Sequence, residues 1–514
     1  MTTNGDVPKG PTGKAIGRNP GGGGMEKSDE DVVPLNQPKA QAEDGEGRSK
    51  AEGNSFQPTM GGALNPPEVL SGLGRVREAA KKDGKARFTS LMHHATPGTL
   101  QEAYEALKRD AAPGVDGVTW HDYGENLISN IHDLHQRVHA GTYRAQPSKR
   151  AWILKTDGRN RPLGIAALED KIVQLAVVWV LNAIYEQDFV NFSYGFRPGR
   201  SQHNALDALW VGITQRKVGW ILDADIQSFF DTLSHEWLMK FLEHRVADPR
   251  VLRLIRKWLR AGVSEDGEWS MTTIGTPQGA VISPLLANIY LHYVFDMWVQ
   301  WWRDHRATGD VIVVRYADDT AMGFQHRNEA ESFLHDLHER LAKFGLKLHP
   351  DKTRLIEFGR FAQSKRSMRG DGPPKTFNFL GFLHRCGTRR SDGGFTVHRE
   401  TMNKRLTAKV KAIRLKLKAR LHEPTPQVGR WLKAVVTGFF NYHAVPGNTP
   451  ALWLFRFLIG RDWHRTLSRR SQRAKINWSR MTRLINTWLP RPKVLHPYPN
   501  QRLVVTTGGG SRMR

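Results

Sequence analysis

Two adjacent acids, Asp318 and Asp319, stand in the string Tyr316-Ala-Asp-Asp319, between the apolar runs Val311–Arg315 and Thr320–Phe324. Each run has strand composition, so the spacing predicts a hairpin that exposes paired carboxylates at the end of a sheet. Adjacent carboxylates repel one another, and divalent cations relieve that repulsion. A second acidic string, Asp223-Ala-Asp225-Ile226-Gln-Ser-Phe-Phe230-Asp231, closes the apolar segment Trp220-Ile-Leu222. Asp225, at the end of that strand, can reach the Asp318 pair from a neighbouring strand. Three carboxylates from two strands suit two Mg²⁺ ions about 3.5–4 Å apart, one activating an attacking hydroxyl and both stabilising an in-line phosphoryl transition state. A third string, Gly275-Thr-Pro-Gln-Gly279, precedes a helix that starts at Ser283-Pro284. Its glycines let backbone approach a ligand closely and bring amide dipoles near a phosphate or a base. Taken singly, each string is weak evidence, because an Asp-Asp turn or a Gly-bounded loop is common.

The elements that must position these groups are legible in the patterning. The chain has 514 residues, enough for two to four structural units, and 39% of them are hydrophobic. Lys plus Arg is 76 against 50 for Asp plus Glu, a net of +26, which favours a polyanionic partner. No apolar run is long enough to span a membrane, and the N-terminus has no apolar segment of the kind a secretory signal needs. A single cysteine, Cys386, excludes an internal disulfide and any multi-Cys zinc site. A non-secreted cytoplasmic protein associated with the nucleoid, without a membrane partner, is the expectation.

Residues 1–70 read as a disordered tail, rich in Gly and Pro and poor in aromatics; the first 60 carry seven basic and nine acidic residues, so the basicity belongs to the folded part. Residues 75–385 alternate helical segments with short β-like runs, and Ala151–Lys155 and Trp220–Asp225 read as buried strands. His132, His135 and His139 share one helix face, a spacing read as a solvated face rather than a metal site. From 395 to 493 there are 22 Lys/Arg and three acids, Glu400, Glu423 and Asp462. Met402, Leu406, Val410, Ile413, Leu417 and Leu421 mark an amphipathic helix, with Lys404, Lys411, Arg414 and Lys418 off the apolar stripe. Uncompensated charge interleaved with tryptophans predicts an RNA-binding surface over 395–490. Residues 491–514 read as a short basic tail.

The order of the strings resembles that of reverse transcriptases, most closely the group II intron-encoded maturase–reverse transcriptases. The successive blocks are Ala112-Pro-Gly-Val-Asp-Gly117, Lys155 with Arg161-Pro-Leu-Gly-Ile165, and Ser193-Tyr-Gly-Phe-Arg-Pro-Gly-Arg200. After Asp225 and Gly275–Gly279 come Tyr316–Asp319, Gly345-Leu-Lys-Leu-His-Pro-Asp-Lys352 and Phe377-Asn-Phe-Leu-Gly-Phe382. The resemblance implies an α+β right-hand polymerase, its fingers and palm (75–385) built on antiparallel sheet and followed by an α-helical thumb/maturase domain (395–490). It implies that Asp225, Asp318 and Asp319, helped by the Ile226 carbonyl, hold two Mg²⁺, for which Mn²⁺ can substitute. Lys155 and Arg161 are then expected at the triphosphate of the dNTP, Phe230 against the sugar C2′, Gln278 in the nucleotide pocket and Lys352 at the leaving pyrophosphate. The implied partners are group II intron RNA, an RNA template with a DNA primer, dNTPs and target DNA. Two departures stand out: Gln227 where many relatives have Lys, and Ser228 where Gly is usual. The His-Asn-His nuclease that many relatives carry beyond this region is expected to be absent. Two other readings stay open: a host reverse transcriptase serving defence or repair, and a splicing cofactor whose polymerase is idle.

Overall fold

The computed structural model describes residues 33–34, 72–154, 160–265, 267–276, 278–470 and 476–504. Apart from Val33 and Pro34, the segment 1–70 lies outside the described residues, as do Lys155, the Arg161 side chain and residues 505–514.

Residues 148–165 fold into the hairpin β1 (Ser148–Leu154) and β2 (Asn160–Ile165). Helix α1 (Leu168–Asp188) follows, apolar on nearly every side and buried from Ile172 to Tyr185, which makes it the central post of the largest core. Helix α2 (Gln202–Gln215) starts at a capping box in which Ser201 and Asn204 satisfy each other's backbone amides. Next is β3 (Trp220–Asp225), and then β4 (Val263–Glu265) and β5 (Glu268–Ser270), which return to the hairpin in the strand order β2–β1–β4–β5.

In that small sheet the segment predicted as a buried strand is open: Trp152 is 54% and Ile153 40% exposed. An apolar strand is buried only where a second layer covers it. Trp152 instead donates its indole N–H to Glu265 Oε1 (2.7 Å) and lies under the Arg150 guanidinium.

The second sheet has strand order β6–β7–β3–β8, with β6 (Val311–Tyr316), β7 (Asp319–Phe324) and β8 (Arg354–Glu357), all neighbours antiparallel. Period-two alternation sorts its side chains. Leu222, Ala224, Val311, Val313, Met322 and Phe324 face the core built on α1. Ile221, Ile312, Val314, Ala321 and Ile356 face α2 and a three-stranded meander, β9 (Phe377–Phe379), β10 (Phe382–Thr388) and β11 (Phe395–Thr401).

A separate helical core follows: α3 (Asn403–Ala419), α4 (Thr425–His443), α5 (Thr449–Leu467) and α6 (Trp478–Trp488). The predicted stripe is the buried one, with Leu406, Val410, Ile413 and Leu417 all inside. Residues read as the start of a basic tail lie against this unit: Leu495 and His496 donate their amides to the Ala444 carbonyl, and the His496 ring stacks on His203 at 3.7 Å. Among the described residues, no helix is long and apolar enough to cross a membrane.

Candidate active site

The alternation that buries Ile221 and Ala321 places Asp223, Asp225 and Asp319 on the same sheet face. The β3–β7 register sets Asp225 directly opposite Asp319. Tyr316 and Asp319 are themselves paired across β6–β7, so Ala317 and Asp318 form a two-residue turn. Ala317 has φ 57, the left-handed geometry that a tight hairpin demands at its first central position. Asp318 and Asp319 are both half-buried, not the open turn acids that the sequence predicts. Asp225 ends its strand, and the next step pairs Ile226 with Leu348. The flanking bonds run from His349 N to Asp225 O and from Gln227 N to Lys347 O, both 2.8 Å, and leave the Ile226 carbonyl outside that pair.

Like charges crowd here. Its protein surroundings, and then Asp318, Asp225 and Asp223, push the Asp319 carboxyl well above the usual carboxylate range, while the cation Arg405 opposes the rise. Burial pushes Asp223 up to about 6, against the pull of Arg354, whose Nη2 stands 3.3 Å from Asp223 Oδ2. Lys352 Nζ lies 2.5 Å from Asp225 Oδ2.

The donor set is all hard carboxylate oxygen, the kind Mg²⁺ or Mn²⁺ takes, and its mutual repulsion is what a divalent cation would relieve. By chemistry and register, Asp225, Asp318 and Asp319 therefore fit such an ion. As the side chains stand, no three His, Cys, Asp or Glu among the described residues are gathered closely enough to hold a metal, and Asp225 is turned to Lys352 instead. The histidine face of 132–139 is partly used internally, with His139 Nε2 bonded to the Ala95 carbonyl at 3.1 Å.

The segment that carries Phe230 is bonded to the segment that carries Gln278. Phe230 lies in the short helix Phe229–Thr232, and its carbonyl accepts the Thr276 amide at 2.8 Å. Gln278 Nε2 donates to Asp231 Oδ1 at 3.0 Å, and Gln278 O accepts the Gly164 amide of β2 at 2.7 Å. Thr276 and Gln278 thus link the small sheet to the short helix that follows β3. The outer glycines of the 275–279 loop are required there, because both have positive φ and a Cβ on either would meet backbone oxygen within 3.0 Å. Arg161 lies in β2 opposite Ile153. Of the basic residues predicted on α3, Lys404, Lys411 and Lys418 are exposed, whereas Arg414 is tied by Nε to Asp462 Oδ2 at 2.9 Å.

Ser228 has φ 48 and ψ 38, with no cap made by its side chain. A Cβ costs about 1 kcal/mol or more in that region, which glycine avoids. Ser228→Gly is therefore expected to stabilise the fold by about 0.5–1 kcal/mol, read as a higher urea midpoint at unchanged slope.

Sequence reasoning missed the group that holds the acidic turn. Arg315 is 1% exposed. Its Nε and Nη2 grip Asp296 at 2.6 and 2.5 Å, Nη2 also donates to Ser193 Oγ at 2.7 Å, and Nη1 donates to Asn288 Oδ1 and the Ala317 carbonyl at 3.0 and 3.1 Å. Asn288 Nδ2 in turn donates to Gly195 O at 2.7 Å, and a Cβ on Gly195 would collide with the Ala317 amide. The Ser193–Arg200 block carried this signal in the sequence, without saying what it touched.

The family model described as "Reverse transcriptase (RNA-dependent DNA polymerase)" matches residues 153–384, the span that holds every one of these acids. The chain contains a reverse transcriptase domain. Escherichia coli protein YkfC is 40% identical over 227 residues, 43% of this chain and 59% of that protein. The Lactococcus lactis group II intron-encoded protein LtrA is 36% identical over 228 residues, 43% of this chain and 37% of that protein. The Arabidopsis thaliana nuclear intron maturase 4, mitochondrial, is 26% identical over 213 residues, 40% of this chain and 25% of that protein. The chain thus spans from about a quarter to three fifths of the length of these relatives. In the reverse transcriptase domain the matched segment runs from the β1–β2 hairpin to β10, so the helical unit after 403 lies beyond it.

Proposed function

We propose that this protein is an RNA-directed DNA polymerase that also binds group II intron RNA to assist its splicing and mobility. The observation that carries the polymerase reading is the pairing of Asp225 with Asp319 across β3–β7, with Asp318 in the adjoining turn. Asp225, Asp318, Asp319 and the Ile226 carbonyl would hold two Mg²⁺, which supply Lewis-acid activation of a primer 3′-hydroxyl and charge stabilisation of the phosphoryl group. Lys155 and Arg161 bind the triphosphate, a point charge and a planar fork respectively. Gln278, anchored on Asp231, lines the nucleotide pocket. Lys352, whose Nζ pairs with Asp225, would stabilise or protonate the leaving pyrophosphate. The purified chain, given an RNA template, a DNA primer, dNTPs and Mg²⁺, is expected to extend the primer; no extension with either Mg²⁺ or Mn²⁺ would overturn the reading.

Phe230 excludes a ribose hydroxyl by filling the space at C2′. Phe230→Val is expected to raise ribonucleotide incorporation relative to deoxynucleotide by about tenfold or more in single-turnover assays, the scale on which one small group in a pocket discriminates. Unchanged selectivity would make Phe230 a packing aromatic.

Intron RNA binding is supported by the excess of 22 basic over three acidic residues across 395–493 and by the exposure of Lys404, Lys411 and Lys418. Affinity is expected to fall steeply with salt, and replacing these three lysines by alanine should flatten the log–log slope by about 0.7–0.9 for each phosphate that is no longer neutralised. Arg414, held by Asp462, should contribute less. A wild-type slope near zero would defeat this surface.

A further inference from the structure

Helix α1 does more than fill the core, because one turn of it carries two acceptors that reach other elements. Asp170 and Gln174 lie four residues apart, on one face of the helix, and both are buried. Asp170 accepts the Tyr143 hydroxyl and, at Oδ2, the Gln146 amide at 3.0 Å, so it holds the segment that leads into β1. Trp258 Nε1 donates to the same Tyr143 oxygen at 3.0 Å. Gln174 Oε1 accepts the amides of Val281 and Ile282 at 3.0 and 3.4 Å. These amides stand at the entry to the helix Ser283–Leu291, which has no side-chain cap of its own. Amides at a helix start find no partner inside the helix. Here the acceptor comes from α1, 107 residues away from Val281.

Upstream, the loop before that helix is pinned through backbone. The Gly275 and Thr276 amides donate to the Leu233 and Phe230 carbonyls at 2.7 and 2.8 Å, and the Gln278 carbonyl accepts from Gly164. Downstream, the pin is the Gln174 side chain. Gln146, Asp170, Gln174, Thr276 and Ser283 all line one cavity of about 20 Å³, room for about one water. Where a cavity interrupts packing, hydrogen bonds carry the placement. One face of α1 therefore holds both the lead-in to the β1–β2 hairpin, on which Arg161 lies, and the loop that carries Gln278.

We infer that Gln174 is a positioning residue for the incoming nucleotide: by holding Val281 and Ile282 it sets Gln278 at the distance from β2 that a dNTP requires. The inference deepens the polymerase reading and rests on it. Gln174 is itself buried, so it acts through the loop and touches no substrate.

Two variants of the full chain separate the acceptor from the packing. Gln174→Met keeps the length of the side chain and loses the acceptor. Gln174→Glu keeps the acceptor, but it sets a second acid beside buried Asp170 and should lower the melting temperature. In single-turnover extension, Gln174→Met is expected to weaken dNTP affinity by about tenfold, within the range that a small misplacement far from the chemistry costs. Its rate at saturating dNTP and its affinity for primer–template should stay within about twofold of wild type. Gln174→Glu should keep the wild-type dNTP affinity despite its lower melting temperature. Hydrogen–deuterium exchange of peptides covering 280–286 should speed up in Gln174→Met and not in Gln174→Glu. Unchanged dNTP affinity in Gln174→Met would overturn the inference, as would losses that track melting temperature in both variants. If wild type extends no primer, the polymerase reading fails. The exchange experiment then decides by itself whether Gln174 holds the loop, and unchanged exchange in Gln174→Met would mean that it does not.

Discussion

Asp318→Ala is expected to lower primer extension by about a thousandfold or more, since a metal-held transition state is worth several kcal/mol and each 1.4 kcal/mol is about tenfold. Folding should survive, because the turn is held from behind. Arg315 grips the Ala317 carbonyl, and Tyr316 and Asp319 stay paired across the hairpin. Removing one of several crowded carboxylates also relieves repulsion, so the variant's melting temperature should match or exceed that of wild type. Asp225→Ala should lose as much activity, and it frees Lys352 from its ion pair as well. Both variants are to be assayed in Mg²⁺ and Mn²⁺ after their folding has been checked by melting. Full extension by Asp318→Ala would remove the two-metal assignment, whatever the other acids do.

The acids were legible because each closes an apolar run, and a run of that kind fixes both strand and face. Once Ile221 and Ala321 are placed inward, Asp223, Asp225 and Asp319 have no choice of side. Helix α3 was legible for the same reason, since its stripe of Leu406, Val410, Ile413 and Leu417 is a local property. Trp152 and Ile153 were misread because apolar composition reports what a strand can bury and not whether a layer arrives to cover it. Arg315 was missed for a different reason. It matters through partners that come from other elements of the chain, Asp296, Asn288 and Ser193. No periodicity encodes such meetings. The family resemblance marked the Ser193–Arg200 and Phe377–Phe382 blocks without saying what they touch.

Arg315→Leu is expected to destabilise the protein by about 3–5 kcal/mol, because it strands the Asp296 carboxylate, which is fully buried. Arg315→Lys should fall between, keeping the charge while losing the fork that reaches Asp296, Asn288, Ser193 and Ala317 together. The informative variant removes both charges. In Arg315→Leu with Asp296→Leu no uncompensated ion remains, so urea unfolding should recover much of the missing stability. Activity should not recover with it. The Ala317 carbonyl and Ser193 Oγ still lack their donor, and the left-handed Ala317 that aims Asp318 is no longer held by the guanidinium. Ala317→Gly added to that pair adopts the same backbone without strain and should restore part of the extension rate. Recovery of stability and activity together in the double variant would mean that the guanidinium only neutralises Asp296. Recovery of stability alone, with partial rescue by glycine, would mean that the buried arginine sets the geometry of the acidic turn.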